Sequence, residues 1–329
     1  MQYRSIKGLT GWAQLGILIA FIGVGFILAG VIQLYLGYKA IGPNSIPFSE
    51  LGDAMIKALM KPENAIYMQL SQVLGTFFLM FIPSFAFILV CHKKMSWAGF
   101  NKHFNILQII LAFMIILCAT FFANPFADIS KSFLSHFPAI NALAMNAEKT
   151  YNEMVMAMSG LKTWPQFVGG VFIIAFLPAL FEELFFRGVV QNFLVKWLKA
   201  PIIAIIITSL FFSLIHASYY LFISRFILGF ALGLLFHKSK NIWVNTFAHF
   251  MNNLIALIQL FVLNKTKNTK INVNDMDTPM PLWSVFITLA ILIGLFMLFE
   301  NVSKKNRQLI EAEEAAEIPP TDNPFNNNA

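Results

Sequence analysis

Eight stretches of this chain are apolar for long enough to cross a hydrocarbon core of about 30 Å, a distance that takes about 20 helical residues. They lie near 13–36, 67–91, 106–124, 166–187, 201–218, 219–236, 242–263 and 281–300. The implied fold is all-α: a polytopic membrane protein of about eight transmembrane helices enclosing an intramembrane polar cavity. Composition agrees, since 58% of residues are hydrophobic, 36 are Phe and only 12% are charged, against roughly 25% charged in a soluble domain. That balance excludes an ordinary soluble, disordered or fibrous protein.

The first apolar run is too long, and lacks the small-residue cleavage site, to be a removable signal peptide. A formal net charge of +7 does not point to nucleic acid, because the basic residues sit in short groups between apolar runs rather than on one face of a domain. They read instead as topology determinants. With eight spans the two termini share a side, and that side carries Arg4, Lys7, Lys93, Lys94, Lys102, Arg187, Lys196, Lys199, Lys238, Lys240, Lys304, Lys305 and Arg307 in short segments. The opposite loops carry nine lysines in longer stretches: Lys39, Lys57, Lys61, Lys131, Lys149, Lys162, Lys265, Lys267 and Lys270. Both termini are therefore expected in the cytoplasm, in a cell membrane, with a bacterial inner membrane as the expected setting. Cys91 and Cys118 are too few for a disulfide framework or a cysteine metal site. Cys118 reads as a packing residue.

The chain divides into N-terminal transmembrane helices with amphipathic outer loops (1–165), a core (166–263), a last loop and transmembrane helix (264–300), and a solvated, disordered cytoplasmic tail (301–329). In the first part Phe48, Leu51, Met55 and Leu59 recur at helical spacing, as in a helix lying on the membrane surface. The 125–165 connection is rich in Met, Ala and Phe. Each is open to two readings, a lid or docking surface on one hand and plain surface packing on the other.

Ionisable groups within a membrane span are costly and mark function. Well inside the apolar runs lie Glu182, Glu183, His216, His249 and Arg225. Glu183 and Arg187 are four apart and share a helix face, so they can pair. Glu182 is turned by about 100° from its neighbour and is left for chemistry. Pro178 removes a backbone bond one turn earlier, so the helix can bend there. In FFSLIHAS, Phe212 and His216 share a face; in NTFAHFMNN, Asn245, His249 and Asn253 form a polar stripe with Asn252 beside it. Such a stripe must face the bundle interior, because lipid offers it no partners. A buried ion-pair and hydrogen-bond network that only positions helices would use the same residue types.

The three elements in this order, EExxxR, FxxxH and HxxxN, resemble the CPBP family of intramembrane endopeptidases, the CAAX proteases and bacteriocin-processing enzymes also called Abi. Glu182, Glu183, Arg187 and Gly188 in EELFFRG, Phe212 and His216 in FFSLIH, and His249 and Asn253 in HFMNN carry the resemblance, which covers about 165–257. It implies hydrolysis of a peptide bond of a membrane-associated protein or peptide, with the bilayer as the other partner. The roles it implies put Glu182 and His216 on the attacking water and His249 and Asn253 at the oxyanion, with Glu183, Arg187 and Phe212 in support. Elementary chemistry agrees: a carboxylate in an apolar cavity suits general-base work, and imidazole and amide N–H groups suit an oxyanion. The expectation is a metal-free hydrolysis with no cofactor. The runner-up is zinc on Glu182, His216 and His249, against which stands the lack of an HExxH motif. A non-enzymatic immunity or scaffold protein is the reading from another class. A transporter would show paired repeats of broken helices, and none is visible. Nothing in the sequence marks a lipid-modified target.

Two points in the sequence pull on this reading. Glu182 falls near one end of its run, whereas His216 lies about 22 Å along the next at 1.5 Å per residue. Contact requires the first helix to continue past Arg187 towards Trp197, or the second to tilt or shift. Arg225 lines up with Gly229 and Gly233, whose spacing allows close helix approach, and it reads as structural.

Overall fold

The computed structural model describes residues 3–43, 46–158, 161, 163–266 and 280–316. Among them the chain is helical. Helix α1 is Gly11–Ile41, α2 Leu51–Leu59, α3 Pro62–Cys91, α4 Ile106–Ser135 and α5 Pro138–Met158. Helix α6 is Trp164–Leu198, α7 Pro201–Ile215, α8 Phe222–Ser239, α9 Ile242–Thr266 and α10 Ser284–Ala316. Seven of these (α1, α3, α4, α6, α8, α9 and α10) are long and apolar enough to cross a membrane, and the chain is a multi-pass membrane protein.

Starts are set by local chemistry. Thr10 accepts from the Ala13 amide at the head of α1, and Asn105 with Gln108, and Thr163 with Gln166, form reciprocal capping boxes at α4 and α6. Three prolines, Pro83, Pro125 and Pro178, lie inside long helices without ending them, and two of them follow wide turns. Pro83 in α3 follows the wide π turns Phe77–Phe81, and Pro178 in α6 follows Val171–Phe176. A proline lacks the amide hydrogen and crowds the carbonyl four residues back. The wider turn relieves that crowding and lets the helix continue.

The fifth and sixth apolar runs differ from their expected bounds. Helix α7 has 15 residues, a length of about 22 Å; it ends at Ile215 rather than Ser218, and α8 starts at Phe222 rather than Tyr219. Ala217 adopts φ +49° and the chain turns through 216–221 before α8 begins. The expected boundary at 218/219 falls within this turn, whose full extent hydropathy hides because His-Ala-Ser-Tyr-Tyr-Leu hardly dilute the apolar runs around it. The 48–59 and 125–165 segments contain helices α2 and α5. Helix α2 buries Met55 and Ala58 against α1, where Gly37 faces the Met55 side chain.

The polar ends sort into two groups. At one end Asn101 donates to the Lys240 carbonyl (3.1 Å), Trp12 meets Trp197 edge-on, and Glu300 takes Lys238 and Arg307 at 2.6 and 2.7 Å. Glu313 pairs with His103 at 2.8 Å, and Glu314 with Lys196 at 3.6 Å. These contacts carry α10 on to Ala316, so the first part of the expected tail is an anchored helix. Residues 317–329 lie outside the described residues, as do Lys162, Lys267 and Lys270. Arg187, counted in sequence among the topology charges, is instead buried at 1% exposure within α6. Without Arg187 the first group numbers twelve basic residues against nine lysines.

His92, just beyond α3 at this end, stacks on Trp97 with ring centroids 3.7 Å apart and bonds Gln14 Oε1 through Nε2 at 3.1 Å. Burial, helped by Lys196, pushes its pKa from 6.5 down to about 3. The folded protein therefore holds a neutral ring where the unfolded chain takes up a proton. Stability is full above pH 6.5 and is lost as pH falls from 6.5 towards 3. The expected loss at pH 5 is about 2 kcal/mol, read from thermal unfolding in detergent at pH 7.5 and pH 5. His92→Phe, which keeps the stack, should flatten this acid limb; an unchanged limb would show that another group causes it.

Candidate functional site

Helix α6 is the axis of the site. It spans 164–198, so Glu182 sits near its middle and not at an end. Helix α7 rises from Pro201 and delivers His216 after about 22 Å, to the depth of Glu182. The continuation past Arg187 is thus what brings the two together. His216 Nε2 lies 4.0 Å from Glu182 Oε2. From α9, His249 Nε2 lies 3.8 Å from the same oxygen. That oxygen is buried and has no hydrogen-bond partner among the described residues.

Glu183 faces the other way and is saturated. Its Oε1 accepts from Arg187 Nη1 (2.9 Å) and faces His249 Nδ1 (2.8 Å), and its Oε2 accepts from Asn245 Nδ2 (3.2 Å). Arg187 also donates to the Gly229 carbonyl at 3.1 Å and lies over the Phe212 ring at 4.7 Å. A methyl at Gly229 would stand 3.1 Å from the Phe212 ring, and one at Gly233 2.7 Å from Ile205. These two glycines are where α8 meets α6 and α7 closely. Two prolonged stretches of π turns, 171–176 and 184–191, flank the carboxylates. Such wide turns rotate side chains out of the α register and recur at functional sites.

Partners fix the histidine tautomers. His216 Nδ1 faces the Phe212 carbonyl at 2.7 Å, which can only accept, so that nitrogen carries the hydrogen. By the same argument His249 Nδ1 donates to Glu183. Both rings therefore turn Nε2 to Glu182 Oε2. Phe212 packs against both, its centroid 4.6 Å from His216 and 6.1 Å from His249.

The structure thus brings together Glu182, Glu183, Arg187, Phe212, His216 and His249. Asn253 stands apart: its amide donates to the Ala175 carbonyl at a long 3.4 Å, two turns before Glu182 on α6. Asn252 bonds Thr120 of α4 and so joins helices. Two contributors were not singled out from sequence as site residues. Asn245 bonds Glu183, and its place one turn before His249 was the signal. Gln191 donates to the Gly233 carbonyl at 2.9 Å, and its place one turn after Arg187 puts it on the same buried face.

Glu182, His216 and His249 are the donors a zinc ion would take here. Tetrahedral ligands about 2.0–2.1 Å from the metal lie about 3.3 Å apart, closer than the 3.8 and 4.0 Å separations from Glu182 Oε2. Among the described residues, no group of three or more His, Cys, Asp or Glu is arranged to hold a metal ion. The same separations are what a water in contact with both atoms spans.

Residues 164–255 match the family model described as Rce1-like, Type II CAAX prenyl endopeptidase Rce1-like. No curated protein and no solved structure matches the chain. The matched stretch runs from the head of α6 through Asn253 and contains all three motifs, and over that stretch the chain is similar to the CAAX prenyl endopeptidases. Helices α1–α5 and α10 lie outside it.

Proposed function

We propose that this multi-pass membrane protein, with its CAAX-protease stretch as the catalytic core, is an intramembrane endopeptidase that uses a Glu/His-activated water and no metal. The observation that carries the reading is the Glu182 carboxylate oxygen, buried, unpartnered and faced by two imidazole Nε2 atoms. A scaffold needs no such atom, because Glu183 already satisfies Arg187, and a buried acceptor without a partner is costly. The substrate class is a membrane-associated protein or peptide. The family description makes a CAAX-type prenylated protein the first candidate.

In the proposed reaction a water between Glu182 and His216 gives its proton to Glu182 as its oxygen bonds to the carbonyl carbon. Negative charge develops on the carbonyl oxygen. His249, its Nδ1–H tied to Glu183, donates to that oxygen from Nε2 when the atom carries a proton, and Asn253 turns its amide to the same place. The proton held by Glu182 then passes to the amide nitrogen, the C–N bond breaks, and an amine and a carboxylic acid leave. Glu183, Arg187 and Phe212 hold the rings. We place the end bearing the N-terminus, Lys238 and α10's charged turns in the cytoplasm, by the excess of basic residues there.

The test is a comparison of membrane-protein fragment termini in cells carrying wild type and Glu182→Ala at equal abundance. Fragments should appear only with wild type. Identical termini, with any phenotype kept by the variant, would favour the immunity or scaffold reading. A second expectation separates the zinc mechanism: incubating purified protein with 1,10-phenanthroline should leave the cleavage rate within about twofold, whereas loss of a catalytic metal would remove nearly all of it.

A further inference from the structure

His216 lies at the end of a helix too short to cross the membrane, on a turn of irregular backbone. Irregular backbone at that depth needs partners supplied by the protein itself. Arg225 of α8, 8% exposed, supplies one, donating from Nη1 to the His216 carbonyl at 2.8 Å. Its guanidinium in turn lies over Tyr151 of α5, 4.7 Å from the ring centroid. Helix α5 holds the same turn twice more: Ser218 donates to Glu148 Oε2 at 2.9 Å, and the Tyr220 hydroxyl to Asn141 Oδ1 at 2.8 Å.

Beside the turn there is open space, bordered by α4 and by Ala147 of α5. A cavity of about 780 Å³, lined by Ser213, Leu214, Ala217 and Ser218 with Ile129 and Phe133 of α4, lies beside it. Ala217 is held at φ +49°, a left-handed conformation that a non-glycine residue keeps where its neighbours impose it. The turn is thus gripped by α5 and α8 while space to relax lies beside it.

We infer that Arg225 is a positioning residue for His216, and that α5, which lies outside the family-matched stretch, is the brace that fixes both. The inference rests on the reading of His216 as part of the catalytic pair. Without the grip the turn relaxes towards the cavity and His216 Nε2 leaves Glu182 Oε2, while Glu182, Glu183 and His249 stay where α6 and α9 hold them.

The experiment is hydrogen–deuterium exchange by mass spectrometry on the full-length protein in nanodiscs, for Arg225→Met and Tyr151→Leu, with Arg225→Lys and Tyr151→Phe as conservative controls. Exchange within 213–222 should quicken at least fivefold in the first two, with 180–190 and 245–253 unchanged and the controls close to wild type. In cells Arg225→Met should lower the wild-type-specific fragments about tenfold, and should cost nothing further in a His216→Ala background. Unchanged exchange in the turn, equal quickening of all three segments, or an equal cost in the His216→Ala background would overturn the inference. Failure of the protease reading shows separately, as fragments that persist in Glu182→Ala, and leaves the exchange pattern to judge the brace.

Discussion

Glu182→Gln is expected to reduce peptide cleavage by about 10²–10⁴-fold, the usual contribution of a positioned general base, while leaving the melting temperature nearly unchanged. The two halves of this expectation come from the same geometry. Glu182 Oε2 accepts no hydrogen bond from the described residues, so exchanging it for an amide removes no contact seen to hold the fold. The amide cannot take a proton from water, and it turns an N–H or a weaker acceptor to the His216 and His249 Nε2 atoms. Initial rates on a peptide spanning a cleavage site found from the fragment termini, paired with thermal unfolding of both proteins, would check it. A variant that melts like wild type and still cleaves at more than a tenth of its rate would remove Glu182 from the role of base.

The carboxylates were legible in sequence because an apolar run tolerates an acidic residue only for a reason, and Glu183–Arg187 spacing already told which of the two would be neutralised. Likewise Gly229 and Gly233 announced a close helix approach, now seen where Arg187 and Gln191 reach the carbonyls of those two glycines. The break between runs at 218/219 falls inside the turn at 216–221, but the turn's extent was not legible, since Ala217, Tyr219, Tyr220 and Leu221 hardly dilute the apolar runs on either side. Nor was the brace: Asn141, Glu148 and Tyr151 look like the polar face of any surface helix, and their partners lie 70 or more residues away. The extension of α10 escaped for a similar reason. Glu313 and Glu314 read as part of a solvated acidic tail until His103 and Lys196, far off in sequence, are seen beside them. The π turns of α6 leave no mark in composition at all. What local spacing encodes could be read; what pairing between distant segments decides could not.

Arg187→Met should be the most destabilising single change at the site. Glu183 is fully buried and Arg187 is 1% exposed, with 2.9 Å between Nη1 and Oε1. Deleting the cation strands a carboxylate inside the bundle, a change that costs about 3–5 kcal/mol where one partner of a buried pair is removed. The Gly229 carbonyl and the face of Phe212 lose their partner at the same time. His249 Nδ1 and Asn245 Nδ2 remain on Glu183, which limits the damage but pulls His249 more strongly towards it. Thermal unfolding in detergent should show a clear drop in midpoint for Arg187→Met and a smaller drop for the double variant Glu183→Gln/Arg187→Met, because the uncharged amide no longer needs a cation. Activity should not return in the double variant, since His249 then bonds a neutral amide that no longer fixes Nδ1 as the protonated nitrogen. Equal midpoints for the single and double variants would mean that the cost lies in the lost Gly229 and Phe212 contacts, and that the buried charge of Glu183 is compensated by His249 and Asn245 alone.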